Sequence, residues 1–468
     1  MINYFIRSYG CQANVAESQA IANHLAFLGC QEVNCEALAD LIVINTCAVR
    51  EKAEQKLWSY LGRLADIKRK KPFLRIGIIG CVASYKKQEI YQRFDHVAFV
   101  FGAREDIAIL HAYLADAVVH LETAKQLYDV QPTAPIHNHG QDRDVAGLVS
   151  HKGLSFRYPF QVQVQSAMVR PAINEVRRSF VNIMTGCNKY CSYCIVPFTR
   201  GREISYPMSR IIDQVRHDVL LGAKEVTLIG QNVNSYKDPE TGALFPELLR
   251  SVAEIEGDFW IRFMSPHPYD MTRDLFEVMA LYRPKITACI HFPVQAGSDR
   301  ILSLMNRHYT VQEYEQKIGW IRELMPDAMI STDVIVGFPG ETAEDFEHTM
   351  SLIERVRYDL IYAFVYSSRK FTKASAMVDD CSHETKLARF ERLVQRQTEI
   401  AAEQNSRNIG KTLTCLVEKR LEHGKLLART EGSIRVLFDG SDDCIGTFVK
   451  LHIDSSGPAN MYATVVNT

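Results

Sequence analysis

The chain is nearly uncharged, with 54 lysines and arginines against 55 aspartates and glutamates in 468 residues. No global field therefore draws it toward nucleic acid, and any such contact must come from local patches. A secretory signal is missing: MINYFIRSYG reads as a short strand without the basic-then-apolar pattern. No apolar run is expected to reach bilayer length, which predicts no membrane partner and a cytoplasmic location. A second C-x-x-C pair is also missing, so a four-ligand zinc module lacks half of its ligands. What the chain does hold is 12 cysteines. Without a secretory context they point to reduced thiols and metal ligation, not to a disulfide framework.

Three of those cysteines share one short loop, Cys187, Cys191 and Cys194, directly after the strand-like run FVNIMT. Thiolates are the usual ligands of iron–sulfur clusters, and a four-iron cubane normally takes four. Three local cysteines leave one iron open to bind and activate a small molecule. The C-x-x-x-C-x-x-C spacing resembles that of radical S-adenosylmethionine enzymes. The resemblance makes these three the catalytic cysteines and places Tyr193, before the third, near the adenine of the bound nucleoside.

The pattern along the chain predicts an α/β protein in three folded parts. Residues 1–125 carry near-continuous apolar strands such as IVINT (42–46) and LRIGIIG (74–80), alternating with helices, as in an open parallel sheet. Residues 126–178 lose the pattern, and PTAPIHNHGQDRD has linker composition. Residues 179–405 hold six strand candidates separated by helical patterns, which predicts an incomplete (β/α)6 barrel. The cluster loop sits at a strand's C-terminal end, where active sites of barrels gather. Residues 406–468 read as short strands joined by Gly, Asp and Ser, a small antiparallel barrel.

Cys11, Cys47 and Cys81 are far apart in sequence, yet each ends a predicted strand and leads toward a helix. In an open parallel sheet those ends lie side by side, and helix N-termini favour thiolates. The alternative is three buried core cysteines. The remaining six cysteines show no such placement.

Two three-cysteine sets in this order resemble the methylthiotransferase family. YGCQAN, NTCAVREKAEQK and GCVA look like its N-terminal domain. IMTGCNKYCSYCIVPFTRGRE, EVTLIGQNVNSY, RFMSPHP, PVQAGSDRIL-x-x-MNR and TDVIVGFPGET look like its radical core. The C-terminal barrel resembles a TRAM domain, an RNA-binding module. Tyr9-Gly10-Cys11-Gln12 and Val196–Glu203 most resemble the branch that acts on N(6)-isopentenyladenosine in tRNA. The sister branches act on threonylcarbamoyl-adenosine tRNA or a ribosomal-protein side chain. The chain departs from the family where a Ser-Pro-Arg-Pro-Gly-Thr-Pro run is usual: it reads Ser367-Ser368-Arg369-Lys370-Phe371-Thr372-Lys373.

The resemblance implies S-adenosyl-L-methionine and two [4Fe-4S] clusters, one on Cys187, Cys191 and Cys194 and one on Cys11, Cys47 and Cys81. It also implies a tRNA anticodon stem-loop as substrate and an electron donor that the sequence does not identify. The product carries a methylthio group at C2 of the isopentenylated adenosine next to the anticodon. A non-catalytic RNA-binding redox sensor is the contrasting class, and an open iron argues against it. Gln231, Asn232 and Gln295 follow barrel strands and either face the cofactor or are ordinary loop residues. Arg200 and Arg202 either hold phosphate as planar forks or form salt bridges. Lys419, Arg420, Lys425, Arg429 and Arg435 make the last barrel locally basic.

Overall fold

The computed structural model describes residues 1–130 and 178–468, apart from Cys11, Val49, Arg50, Asp106, His423, Asn467 and Thr468. The connector expected after Gln131 and the Cys11 ligand lie outside the described residues.

The first sheet is parallel throughout, in the order β2-β1-β3-β4-β5, from β1 (Asn3–Tyr9), β2 (Gln31–Glu32), β3 (Leu41–Thr46), β4 (Arg75–Gly80) and β5 (Phe99–Gly102). Every residue of β3 is buried, which is why LIVINT shows no alternation: helices cover both faces. The helix Gln12–Phe27 stops at Gly29, whose φ of 78° is the left-handed value that ends a helix most cheaply in glycine.

The helix Ile107–Val130 corrects one expectation. Its stretch Ile107–Lys125 is long and apolar enough to cross a membrane by length and composition. Here Leu110, Leu114, Val118 and Leu121 recur at helical spacing and are buried in the core beside β1 and β3.

The central strands are β6 (Arg178–Asn182), β9 (Glu225–Ile229), β10 (Trp260–Phe263), β11 (Cys289–His291), β12 (Met329–Val336) and β13 (Leu360–Val365). They form two parallel three-stranded sheets, β6-β9-β10 and β11-β12-β13, joined by a parallel bridge between Ile261 and Ile286. This is the incomplete six-stranded barrel. A two-residue ladder that the sequence did not announce pairs β7 (Met184–Thr185) with β8 (Ile204–Ser205) and closes the base of the cysteine loop.

Residues 412–465 carry a closed barrel, β14-β15-β16-β18-β17, from β14 (Thr412–Arg420), β15 (Leu426–Thr430), β16 (Arg435–Phe438), β17 (Phe448–Ser456) and β18 (Asn460–Val465). It docks on the N-terminal ends of the central strands, opposite the cysteine loop. Glu418 pairs with Arg178 at the start of β6. Arg262 donates to the Glu431 carbonyl at 2.8 Å, and Trp260 and Phe448 pack with ring centroids 4.7 Å apart. Three of the five cations expected to make this barrel basic are paired with its own acids: Arg420 with Asp442 at 2.6 Å, Lys425 with Asp439 at 3.0 Å, and Arg429 with Glu418 at 2.6 Å. Lys419 and Arg435 remain exposed.

Candidate active site

The cysteine loop leaves the ladder through Gly186, at φ 80°, where a Cβ would run into the Arg202 carbonyl. Only glycine fits there. The loop is then clamped from three sides. Ser192 donates its N–H to the Met305 carbonyl at 3.0 Å. Asn306 donates to the Tyr190 carbonyl at 3.0 Å. Glu203 accepts from the Asn188 N–H at 3.1 Å. A loop fixed this way presents its sulfurs without further folding cost.

Burial pushes the Cys187 thiol up to about 11 and the Cys194 thiol up to about 12, and in both the Cys191 charge pushes further. Thiolates crowded like this need a cation, and metal ligation supplies one. Among the described residues no three His, Cys, Asp or Glu groups close on a single ion. Tyr193 is partly buried, its ring 6.5 Å from Phe338 and edge-on to it. Phe338, from the GFPGET turn, is itself fully buried.

The second set is positioned by register. Thr46 pairs with Gly80 and with Tyr9, so Cys47 and Cys81 leave neighbouring strands at one level. Cys47 donates its N–H to the Tyr9 carbonyl at 2.9 Å, and Cys81 opens the helix Cys81–Arg93, whose N-terminus favours a thiolate. Both are buried. Burial with neighbouring strand-end positions also suits a packed core cysteine; what a packed thiol does not call for is Arg200. Its guanidinium is buried and bonded both to Glu17, at 2.6 Å, and to the Cys81 sulfur. Burial works against its charge, but Glu17 and Cys81 together hold the pKa above the ordinary arginine value. A cation aimed at a sulfur is placed for a thiolate, not for an apolar thiol. Arg200 is therefore not a phosphate fork; Arg202 is exposed.

Arg200 ends the helix Val196–Arg200, which begins two residues after Cys194. This short helix packs on the Cys81 helix: Ser84 donates to the Thr199 carbonyl at 3.0 Å, and Arg104 donates to the Pro197 carbonyl. One helix thus joins the two cysteine sets.

The polar residues expected near the cofactor divide. Gln231 accepts from the Gly186 N–H at 2.6 Å, so its carbonyl supports the cysteine loop from below. Asn232 is buried, and its amide donates to Glu203 at 3.2 Å and Asp270 at 2.9 Å, while its carbonyl oxygen meets no donor among the described residues. Gln295 has φ 76°, and its backbone pairs with β12, donating to the Asp333 carbonyl at 2.9 Å.

Two residues escaped the sequence reading. Arg307 is buried; one nitrogen donates to the Pro293 carbonyl at 2.7 Å, and another lies 3.5 Å from both the Cys191 sulfur and the Tyr193 hydroxyl. His267 accepts from the Tyr269 N–H at Nδ1, 3.2 Å, which leaves the proton on Nε2, 4.0 Å from the Cys191 sulfur. Burial, with Arg307 nearby, holds this imidazole neutral far below its ordinary value. Asn234 clamps the His267 backbone in both directions, at 2.8 and 2.9 Å. The signal was present: His267 lies in RFMSPHP, Arg307 in MNR and Asn234 in QNVNSY. Nothing local says that these segments, about thirty residues apart or more, meet beside one sulfur.

Comparison with known proteins agrees with this arrangement. Residues 3–102 match the model of Uncharacterized protein family UPF0004, and residues 181–353 match the Radical SAM superfamily. The tRNA-2-methylthio-N(6)-dimethylallyladenosine synthase of Carboxydothermus hydrogenoformans is 38% identical, over 96% of this chain and 96% of its own. The protein of that name from Thermodesulfovibrio yellowstonii is 36% identical over 99% of both chains, and that from Shigella boydii is 39% identical over 99% of this chain and 92% of its own. Among solved structures, the radical S-adenosylmethionine methyltransferase TsrM from Kitasatospora setae, with tryptophan substrate and a SAM analogue bound, superimposes with a TM-score of 0.53 at 12% identity. It covers 80% of this chain and 75% of its own, a likeness of fold. The cofactors are S-adenosylmethionine and [4Fe-4S] clusters, which the cysteine loop suits. The chain belongs to the tRNA-2-methylthio-N(6)-dimethylallyladenosine synthase family of radical S-adenosylmethionine enzymes.

Proposed function

We propose that this enzyme places a methylthio group on C2 of N(6)-isopentenyladenosine next to the anticodon of tRNA, with the work divided between the two cysteine sets. Cys187, Cys191 and Cys194 would hold one [4Fe-4S] cluster with an open iron for S-adenosylmethionine, and Cys11, Cys47 and Cys81 a second. When bound, these groups supply hydrogen abstraction from an unactivated carbon, the inserted sulfur and the methyl group, none of which a side-chain acid or base could provide. The observation that carries the reading is the helix Val196–Arg200, which starts just past Cys194 and ends on Cys81.

The chain's own residues then have definable tasks. Arg307 and His267 donate to Cys191; Arg200 orients Cys81 from the other part of the molecule. Tyr193 against Phe338 forms an apolar wall suited to a flat base. In this division residues 1–125 carry the sulfur site, 179–405 the radical core and 406–468 an RNA-contacting barrel, with 126–178 as connector. Recognition would be of the anticodon stem-loop, whose unpaired bases can be splayed out, unlike those of an A-form stem. An electron donor would be a further partner.

The test is purified, anaerobically reconstituted enzyme with reductant and S-adenosylmethionine, offered prenylated, unprenylated and threonylcarbamoylated anticodon loops, with products read by nucleoside mass analysis. Product only on the prenylated loop is expected. An apolar prenyl pocket would leave a carbamoyl group's polar atoms unpaired, at about 1–3 kcal/mol each. Product only on the threonylcarbamoylated loop, or only on a ribosomal protein, overturns the acceptor.

A further inference from the structure

The segment Ser367–Lys373, where the chain departs from its family's usual run, lies at the seam between the two cysteine sets. Phe371 packs edge-on against Tyr85, with ring centroids 6.3 Å apart at 79°, and lies 6.5 Å from Phe198 at 33°. Tyr85 is four residues past Cys81, one turn along the same helix, so both share a face. Phe198 is four residues past Cys194. Phe371 therefore touches one aromatic from each side of the seam.

These rings are not buried by that contact. Phe371 is 59% exposed and Phe198 43% exposed. Phe371 also holds φ 72°, a left-handed value costly for a bulky side chain, and such residues concentrate at ligand-binding positions. The loop that imposes it is tied down: Thr372 donates its hydroxyl to the Arg369 carbonyl at 2.7 Å, and Ala374 donates its N–H to the Ser192 carbonyl at 2.8 Å, between two cluster ligands. Lys370 and Lys373 flank the ring. Both are exposed, and neither has a carboxylate partner among the described residues. This contrasts with the last barrel, where Arg420, Lys425 and Arg429 are already neutralised.

We infer that Lys370-Phe371-Thr372-Lys373 and Phe198 form a stacking platform for an unpaired base of the RNA substrate, with the two lysines on its flanking phosphates. Exposed aromatics with interleaved cations are how proteins hold single-stranded RNA: the ring takes the base's flat face and the cations take the backbone. The seam is where the acceptor must sit to meet both cysteine sets, so a base held here is the acceptor's neighbour in the loop. This rests on the proposed RNA substrate.

The test uses the full-length reconstituted enzyme and an anticodon stem-loop carrying N(6)-isopentenyladenosine, with 2-aminopurine at an unpaired position beside it. Phe371→Gly removes the ring while giving the left-handed position a residue that adopts it freely. It should weaken RNA binding about 5- to 150-fold, the span found when a stacking ring is lost. It should also restore 2-aminopurine fluorescence and leave reductive cleavage of S-adenosylmethionine without RNA unchanged. Phe371→Trp should retain affinity. Lys370→Ala with Lys373→Ala should flatten the salt dependence of binding by a log–log slope of about 1.4, or 0.7 per phosphate contact on a single strand. Unchanged affinity in Phe371→Gly, or a loss confined to prenylated RNA, overturns the platform; the latter would mean that the ring meets the prenyl tail and not a base. Failure of the unmodified enzyme to bind any anticodon loop would instead overturn the substrate reading beneath it.

Discussion

The central strands have a seam at each end, and the two are built differently. At the N-terminal ends the seam is a buried ion-pair lattice: Arg178 and Arg262 both grip Glu225, at 2.8 and 2.7 Å, while Glu418 and Glu431 reach across from the last barrel. At the C-terminal ends the seam is one short helix, the single ion pair of Arg200 with Glu17, a few hydrogen bonds and exposed rings. Buried charges that satisfy one another fix an orientation and tolerate no missing partner. Single bonds beside open aromatic faces leave room for a ligand. The barrel seam is made to hold, and the cysteine seam is made to receive.

The strongest way to break the comparison is at the cysteine end. Replacing Cys187, Cys191 and Cys194 with Ala should abolish cleavage of S-adenosylmethionine and remove one of two clusters, while circular dichroism and the other cluster persist. Iron analysis and Mössbauer spectra check this; loss of all iron would show that the sites are not independent.

At the other end, Arg262→Met should leave cluster loading intact but destabilise the fold by about 3–5 kcal/mol, because Glu225 keeps only part of its compensation. Chemical denaturation measures it, and a shift under about 1 kcal/mol would reduce the lattice to surface-grade pairs.

His267→Phe sharpens the cysteine end without dismantling it. A reduced cluster carries one more negative charge, and a donor to its sulfur stabilises that state. Losing the Nε2 donor should lower the reduction potential by roughly 59 mV, tenfold in the one-electron equilibrium. Electron paramagnetic resonance titration reads this. An unchanged potential would leave His267 a packing residue only.

The smallest effect expected is pH-linked. Burial pushes the Glu225 carboxyl up, but Arg262 and Arg178 outweigh it and hold the pKa below the ordinary value. A depressed carboxylate stabilises the fold fully above its unfolded pKa, roughly 4.3, and loses that contribution as pH falls through the folded value. Acidification below about pH 4 should therefore loosen the barrel seam, and Arg262→Met should narrow that loss. Limited proteolysis between residues 406 and 412 against pH would show it.

Much of this was legible in the sequence, for physical reasons. LIVINT is buried throughout and MISTDVIV buries every second residue, so local apolarity sufficed. The cysteine spacing is local too. What was not legible depends on meetings between distant residues. Arg200 could be read as a phosphate fork or a salt bridge, and the choice was open because Glu17, 183 positions away, gives no local sign of reaching it. Arg429 looked free for RNA because Glu418 lies on the adjoining strand, a partner visible only once β14 and β15 are in register. β7 and β8 have two residues each, too few for any periodicity.

Because the last barrel sits on the far end of the central strands, the protein carries a built-in ruler. β12 has eight residues, roughly 26 Å at about 3.3 Å per residue. Any nucleic acid touching both ends must bridge about that length. A stem-loop trimmed below it can reach the chemistry or the barrel, but not both. Shortening the RNA and removing residues 406–468 would then be two routes to the same loss, and combining them should cost no more than either alone.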